Sequence, residues 1–356
     1  MRARPHVAVV AVLALLLGLS VTRFGAPNYT LEPSYTDHLR HEYSAWAFLH
    51  MGFDVFRVPL DHWSVHAKHV HTLWGPLPVV YPPGLLVVFL PFGVASNEAL
   101  VPDQRVHMLM VMLFGAAAVA ASFQLFRTLQ PLYEAALAGV LTVLGAILFL
   151  TWGLNGFIDP LAAGLALLGI YWADRGLHGR GLVALSFALS LQFRLWYLWP
   201  LVVALVVRRW RELRPWQLGV SAVLAAASAV AFALAVPSVS KLGDIPGIEP
   251  NSLAITGGVT VEQAVALAAG GALLGLVWSS ERRVTPVATI ALVLVLIFGV
   301  DQWQAWYPIL LVPILAVVRT RWAQAAVCVA FLELVFYLGG FPNLLRSVHL
   351  YVDAVR

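Results

Sequence analysis

The stretch Ala135–Trp152 reads AALAGVLTVLGAILFLTW, eighteen residues without a charged side chain. About 18 to 20 apolar residues in helical geometry cross the hydrocarbon of a bilayer. The run is continuous rather than alternating, which does not suit a strand of a membrane barrel. Backbone polar groups in lipid must be satisfied internally, so a helix is the form that remains. Working outward, the same character recurs. Val7–Thr22, Leu77–Ser96, Val106–Phe126, Phe157–Ala173, Gly181–Val207 and Gln217–Val236 are predominantly apolar, as are Val261–Trp278, Val284–Val300, Trp306–Val318 and Trp322–Gly340. Across the chain 60% of residues are hydrophobic and 11% charged, where a soluble domain carries about a quarter charged. The expectation is an all-α polytopic membrane protein, with residues 1–356 forming a single integral membrane domain.

The basic residues sit between the apolar runs, as orientation determinants do. The net charge of +4 therefore reads as topology and not as an affinity for nucleic acid. Asp174–Arg180 holds two arginines and Arg208–Arg214 holds four, while Glu281-Arg282-Arg283 and Arg319-Thr320-Arg321 are short and basic. All four connections are expected in the cytoplasm. Gly181–Val207 then has cytoplasmic loops at both ends. One crossing cannot satisfy that, but two short half-helices turning near Arg194 can. Leu77–Ser96, interrupted by Pro78, Pro82, Pro83 and Pro91, reads as re-entrant or interfacial, since proline removes a helix hydrogen bond and clashes with the turn before it. The count comes to about eleven crossings. Arg2 and Arg4 lead into a first helix, read as retained with its cytoplasmic end first, because Gly18-Leu19-Ser20 makes a poor cleavage site. Cys328 is the one cysteine and makes no intrachain disulfide.

In this scheme the external face collects the chemistry. Residues 23–105 form a long first external loop with interfacial and re-entrant helices. Within it lies Ser34-Tyr35-Thr36-Asp37-His38-Leu39-Arg40-His41-Glu42-Tyr43. Asp37 near an apolar surface can serve as a base, or it can simply cap a helix or sit in a solvated loop. Apolar residues at helical spacing after Tyr43 suggest a helix lying along the membrane surface. His62, His66 and His69 share a helical face at metal-ligating spacing with His71 close by; a histidine-rich interfacial loop has the same pattern. Trp74–Gly84 is too proline-rich for a regular helix and can shape a lipid-facing groove or a stiff turn. Arg194 lies inside an apolar segment, where a charge is costly. Its guanidinium suits a phosphate, or an ion pair with Asp37, Asp159 or Asp301. Asp301, Gln302, Gln304, Trp306 and Tyr307 mix amides and aromatics, which suits sugar rings, while tryptophans alone also form ordinary interfacial belts.

Together these stretches resemble the GT-C glycosyltransferases, membrane enzymes that use polyprenyl-phosphate-linked sugars, and in particular the first mannosyltransferase of the GPI-anchor pathway and its bacterial relatives. Tyr35-Thr36-Asp37 looks like the acidic motif of that group's first external loop. Tyr81-Pro82-Pro83 resembles its Tyr-Thr-Pro segment, Phe193-Arg194-Leu195-Trp196-Tyr197 its Phe-Lys-Ile-Tyr-Pro stretch, and Gln302–Tyr307 its Gln-Tyr-Phe-x-Trp-Tyr motif. The eukaryotic pattern has a second aspartate where this chain has Leu39, so a divalent cation stays an open question and no metal ligand is assigned. The resemblance implies an inverting transfer of mannose or another hexose or pentose on the external side of a bacterial inner membrane. Asp37 would be the general base and Arg194 the group facing the donor phosphate. His38, Glu42, Tyr81, Asp159, Asp301, Gln302, Gln304, Trp306 and Tyr307 would bind substrate. The partners implied are the lipid-linked donor, a lipid or glycan acceptor and the surrounding membrane lipids. A transporter or flippase for a lipid-linked precursor is the alternative; it needs alternating access and related halves.

Overall fold

The computed structural model describes residues 37–59, 78–79, 81–129, 135–154, 157–239, 309 and 312–313. Among the described residues the chain is all-helical. Its helices are α1 (Asp37–Met51), α2 (Pro83–Asn97), α3 (Asp103–Leu129), α4 (Ala135–Leu154), α5 (Asp159–Asp174), α6 (His178–Leu191), α7 (Trp199–Arg209) and α8 (Pro215–Val239). Among the described residues, two stretches are long and apolar enough to cross a membrane, Met112–Leu129 in α3 and Pro215–Ala235 in α8.

The helices begin and end where local chemistry allows. α2 opens with Pro82 as its cap and Pro83 in its first turn, where the missing N–H costs nothing. Of the segment expected from Leu77, the described residues Pro78, Val79, Tyr81 and Pro82 are non-helical, and the helix runs from Pro83 with Pro91 accommodated inside. α5 carries Asp159 and a proline in its first turn. It closes at Gly176, whose φ of +76° is the left-handed conformation glycine adopts freely. Leu177 N–H donates to Trp172 O at 2.9 Å and Gly176 N–H to Ala173 O at 3.0 Å, the paired bonds of a Schellman ending. That tight stop turns the chain straight into α6.

α5 and α6 then run back to back at close range. A Cβ on Gly169 would stand 2.9 Å from Leu185 N, and one on Gly181 would stand 2.8 Å from Gly169 O. Small residues let helix backbones meet in this way without a hydrophobic driving force. Gly153 and Gly164 give α3 the same access to α4 and α5, through Ala118 and Ala121. The shared core holds Phe89, Phe114, Phe149, Leu167 and Leu185, and Ile309 and Val312 are buried in it as well.

The run Gly181–Val207 is broken, as its flanking charges require. Gln192 is extended, Phe193–Leu198 forms a 3-10 turn, and α7 returns. At 1.5 Å per residue, α6 and α7 measure roughly 21 and 16 Å, short of the roughly 30 Å of a bilayer's hydrocarbon. The start of α6 meets the turn that follows α7: His178 Nδ1 lies 2.6 Å from Glu212 Oε2. Arg209 donates to Glu212 at 3.0 Å. That bond, and the imidazole after it, hold the exposed Glu212 carboxyl below its ordinary value. Arg127, at the far end of α3, donates to Tyr171 at 2.7 Å. One end of the bundle therefore gathers Arg127, Tyr171, Arg175, His178 and the Arg208–Arg214 turn.

α1 departs from the surface-lying pattern expected of it. His41 through Ala47 are all buried, on every side of the helix. The contact with α2 explains this. Gly93 has no side chain and sits directly against the Glu42 carbonyl, while Trp46 Nε1 donates to Glu98 at 2.7 Å. His41–Ala47 is a core segment, and exposure begins only at Leu49 and His50.

Candidate functional site

The end of the bundle opposite the arginines is where polar side chains converge. Asp159 is the first residue of α5 and is 3% exposed. Gln192, just past α6, donates from Nε2 to Asp159 Oδ1 at 2.9 Å. A carboxylate out of water needs such donors, because its desolvation is otherwise expensive. The pairing follows from the α5–α6 hairpin: the start of one helix and the end of the other must lie side by side once the Gly176 turn is set.

α2 joins them through its first turn. Gly84 rests against Ser190 near the end of α6; a Cβ there would lie 2.6 Å from the Ser190 carbonyl oxygen. Ser190 Oγ in turn donates to Phe187 O at 2.7 Å. Just ahead of Gly84, Tyr81 meets the edge of the His41 ring, with centroids 4.5 Å apart and planes at 82°. His41 also packs edge-on to Phe89 at 5.1 Å, and the adjacent Glu42 is buried, at 3% exposure. Asp37 and His38 begin α1, one turn before His41. For Asp37, His38 and Arg194 the description is of the backbone.

The Arg194 turn lies at this same end, because it starts directly after Gln192. It is fixed by Trp196, whose Nε1 donates to Leu189 O at 3.1 Å and so satisfies a carbonyl freed at the end of α6. The Trp196 ring packs on Phe232 of α8 at 5.3 Å.

The structure thus brings Tyr81 against His41 of α1, the first turn of α2 against Ser190, and Gln192, which leads into the Arg194 turn, against Asp159. Asp301, Gln302, Gln304, Trp306 and Tyr307 lie outside the described residues, as do His62, His66, His69 and His71, Cys328 and the Val7–Thr22 helix. Among the described residues no three His, Cys, Asp or Glu side chains are grouped to hold a metal ion. Gln192, His41 and Ser190 belong to the cluster but were not among the expected site residues. Gln192 carried a readable signal, a lone amide next to the helix break; the role of His41 depends on α2 packing and had none.

Chemically, the cluster offers buried carboxylates, an imidazole edge and an aromatic phenol at the mouth of a broken helix. Such a set can bind a hydroxylated substrate and place a carboxylate near one of its hydroxyls. Comparison with protein-family models, with curated proteins and with solved structures finds no match to this chain.

Proposed function

We propose that this protein is a membrane glycosyltransferase, resembling the GT-C enzymes, that moves a sugar from a polyprenyl-phosphate carrier to an acceptor hydroxyl. The observation that carries the reading is the convergence of Asp37's helix, Tyr81, Asp159 and the Arg194 turn at one end of the bundle, opposite the arginine-rich end. These stretches are far apart in the chain, and they are the ones on which the resemblance rests. In this reading about eleven helices cross a bacterial inner membrane and the carboxylate end faces outward.

The reaction inverts the sugar carbon. Asp37 takes the proton of the acceptor hydroxyl as its oxygen attacks C1 from the face opposite the phosphate. The bond from C1 to the phosphate oxygen breaks, and both electrons leave with the polyprenyl phosphate. Arg194 offsets the charge developing on that phosphate, an electrostatic role that often outweighs the others. Asp159, oriented by Gln192, accepts hydrogen bonds from sugar or acceptor hydroxyls. Glu42 and Tyr81 border the same space. Asp301, Gln302, Gln304, Trp306 and Tyr307 supply stacking and amide contacts to the sugar.

The test is a transfer assay. Purified protein in lipid is incubated with radiolabelled polyprenyl-phosphate mannose, glucose or arabinose and an envelope lipid extract, beside an Asp37→Asn variant that elutes as a folded species. Transfer by wild type alone, with a loss of at least about 100-fold in the variant, is the expected result. Full activity in the variant removes Asp37 from the role. Movement of an unmodified lipid-linked donor across the bilayer, with no transfer product, favours the flippase reading instead.

A further inference from the structure

The arginine end of the bundle is more than a set of loops. Asp174–Arg180 and Arg208–Arg214 are separate in sequence, yet the His178–Glu212 contact at 2.6 Å joins them. Gly179 lies directly against the Gln217 side chain, and Gln217 Oε1 accepts the Arg214 N–H at 2.9 Å. The two loops form one fixed surface. It exposes the guanidiniums of Arg175, Arg180, Arg208, Arg209, Arg211 and Arg214 against the carboxylates of Asp174 and Glu212.

This surface borders apolar helix faces. Trp210 and Trp216 are 59% and 56% exposed, and Arg211 stacks over the Trp210 ring at 5.3 Å. Within three turns of the arginines, Val207 on α7 and Val223 on α8 are 68% and 67% exposed. Exposed tryptophans between a cationic rim and outward valines are what a head-group boundary selects. Guanidiniums bind phosphates through their planar fork.

We propose that this end of the bundle is a binding site for anionic phospholipid. The lipid phosphates would engage Arg208, Arg211 and their neighbours, and the acyl chains would lie along the exposed valines of α7 and α8. The site rests on the membrane placement above but not on sugar transfer, so it stands or falls separately from the catalytic reading.

The experiment uses the full chain in nanodiscs made from equal parts phosphatidylglycerol and phosphatidylcholine. The lipids retained on release are counted by native mass spectrometry. Wild type is expected to keep phosphatidylglycerol in preference, and the preference is expected to fall as salt rises. Arg208→Gln with Arg211→Gln should lower it about 30-fold, the equivalent of about 1 kcal/mol for each charge removed. Arg105→Gln, at the exposed start of α3, should leave it unchanged. Equal retention of both lipids by wild type overturns the proposal. So does an undiminished preference in the double variant, or an equal loss in Arg105→Gln. These variants concern exposed side chains, and the salt titration of wild type gives an independent readout if either variant is poorly produced.

Discussion

Replacing Gln192 with leucine deletes the amide that donates to Asp159 at 2.9 Å while keeping the side-chain volume close to native. A cavity contribution is therefore small, and the loss is that of the hydrogen bond. Asp159 is 3% exposed, so bulk water does not take the amide's place. Leaving a buried acceptor without its donor costs about 1–3 kcal/mol, and about 2 kcal/mol corresponds to roughly 30-fold in an equilibrium constant. At about 2–4 °C per kcal/mol for a large chain, the unfolding midpoint in detergent should fall by roughly 4–8 °C, followed by fluorescence-detected size exclusion after heating. A double-mutant cycle with Asp159→Asn isolates the contact. The two changes together should cost at least about 1 kcal/mol less than the sum of the single losses. Losses that add to within about 0.5 kcal/mol would refute the hydrogen bond as a structural element of the site.

Three further outcomes are expected. Gly181→Leu places a Cβ 2.8 Å from Gly169 O and should cost about 3 kcal/mol or more by overpacking, seen as loss of monodisperse protein; Gly219→Leu, with open space around it, should behave as wild type. The Glu212 carboxyl is held below its ordinary value chiefly by Arg209, so it releases its proton more readily folded than unfolded. Its stabilising effect is present above the unfolded value and is lost as pH falls through the lower folded one. Wild type and Glu212→Gln should therefore differ slightly in midpoint near neutrality and converge in acid; a gap that widens in acid would contradict the pairing. With Cys328 changed to alanine, single cysteines at Arg180 and Arg211 should react with an impermeant maleimide from the same side of the membrane. Labelling from opposite sides would mean that α6 and α7 are not a hairpin.

The broken helix was legible because two independent features agree on it. Arginines at each end argue against a single crossing, and Gly181–Val207 is long for one. The carboxylate cluster was partly legible. Asp159 and Tyr81 stand out as polar groups in apolar surroundings, and the hairpin explains why Asp159 meets Gln192. The burial of α1 was not legible. Its apolar residues fit a helix with one dry face, and only Gly93, fifty residues on, reveals that a second helix lies against its backbone. The start of α2 at Pro83 shows a different limit: four prolines argue against a helix when counted, but not when one is a cap and the next occupies a first turn.

The shortness of α6 and α7 has a consequence for how the chain is made. A ribosome delivers α6 first, and at about 21 Å it is too short to anchor itself in a bilayer. It is also followed directly by the polar Gln192 and by Arg194, which no isolated segment would leave in hydrocarbon. In the membrane placement proposed above, the nascent chain would hold α6 at the surface or at the insertion machinery until α7 and the arginines behind it emerge. Entry would then be a single event of two half-helices, guided by α5, whose Gly169 backbone lies against Gly181. A stop placed after Arg194 should leave a truncated product with α6 uninserted, whereas one placed after Arg214 should leave it protected within the membrane.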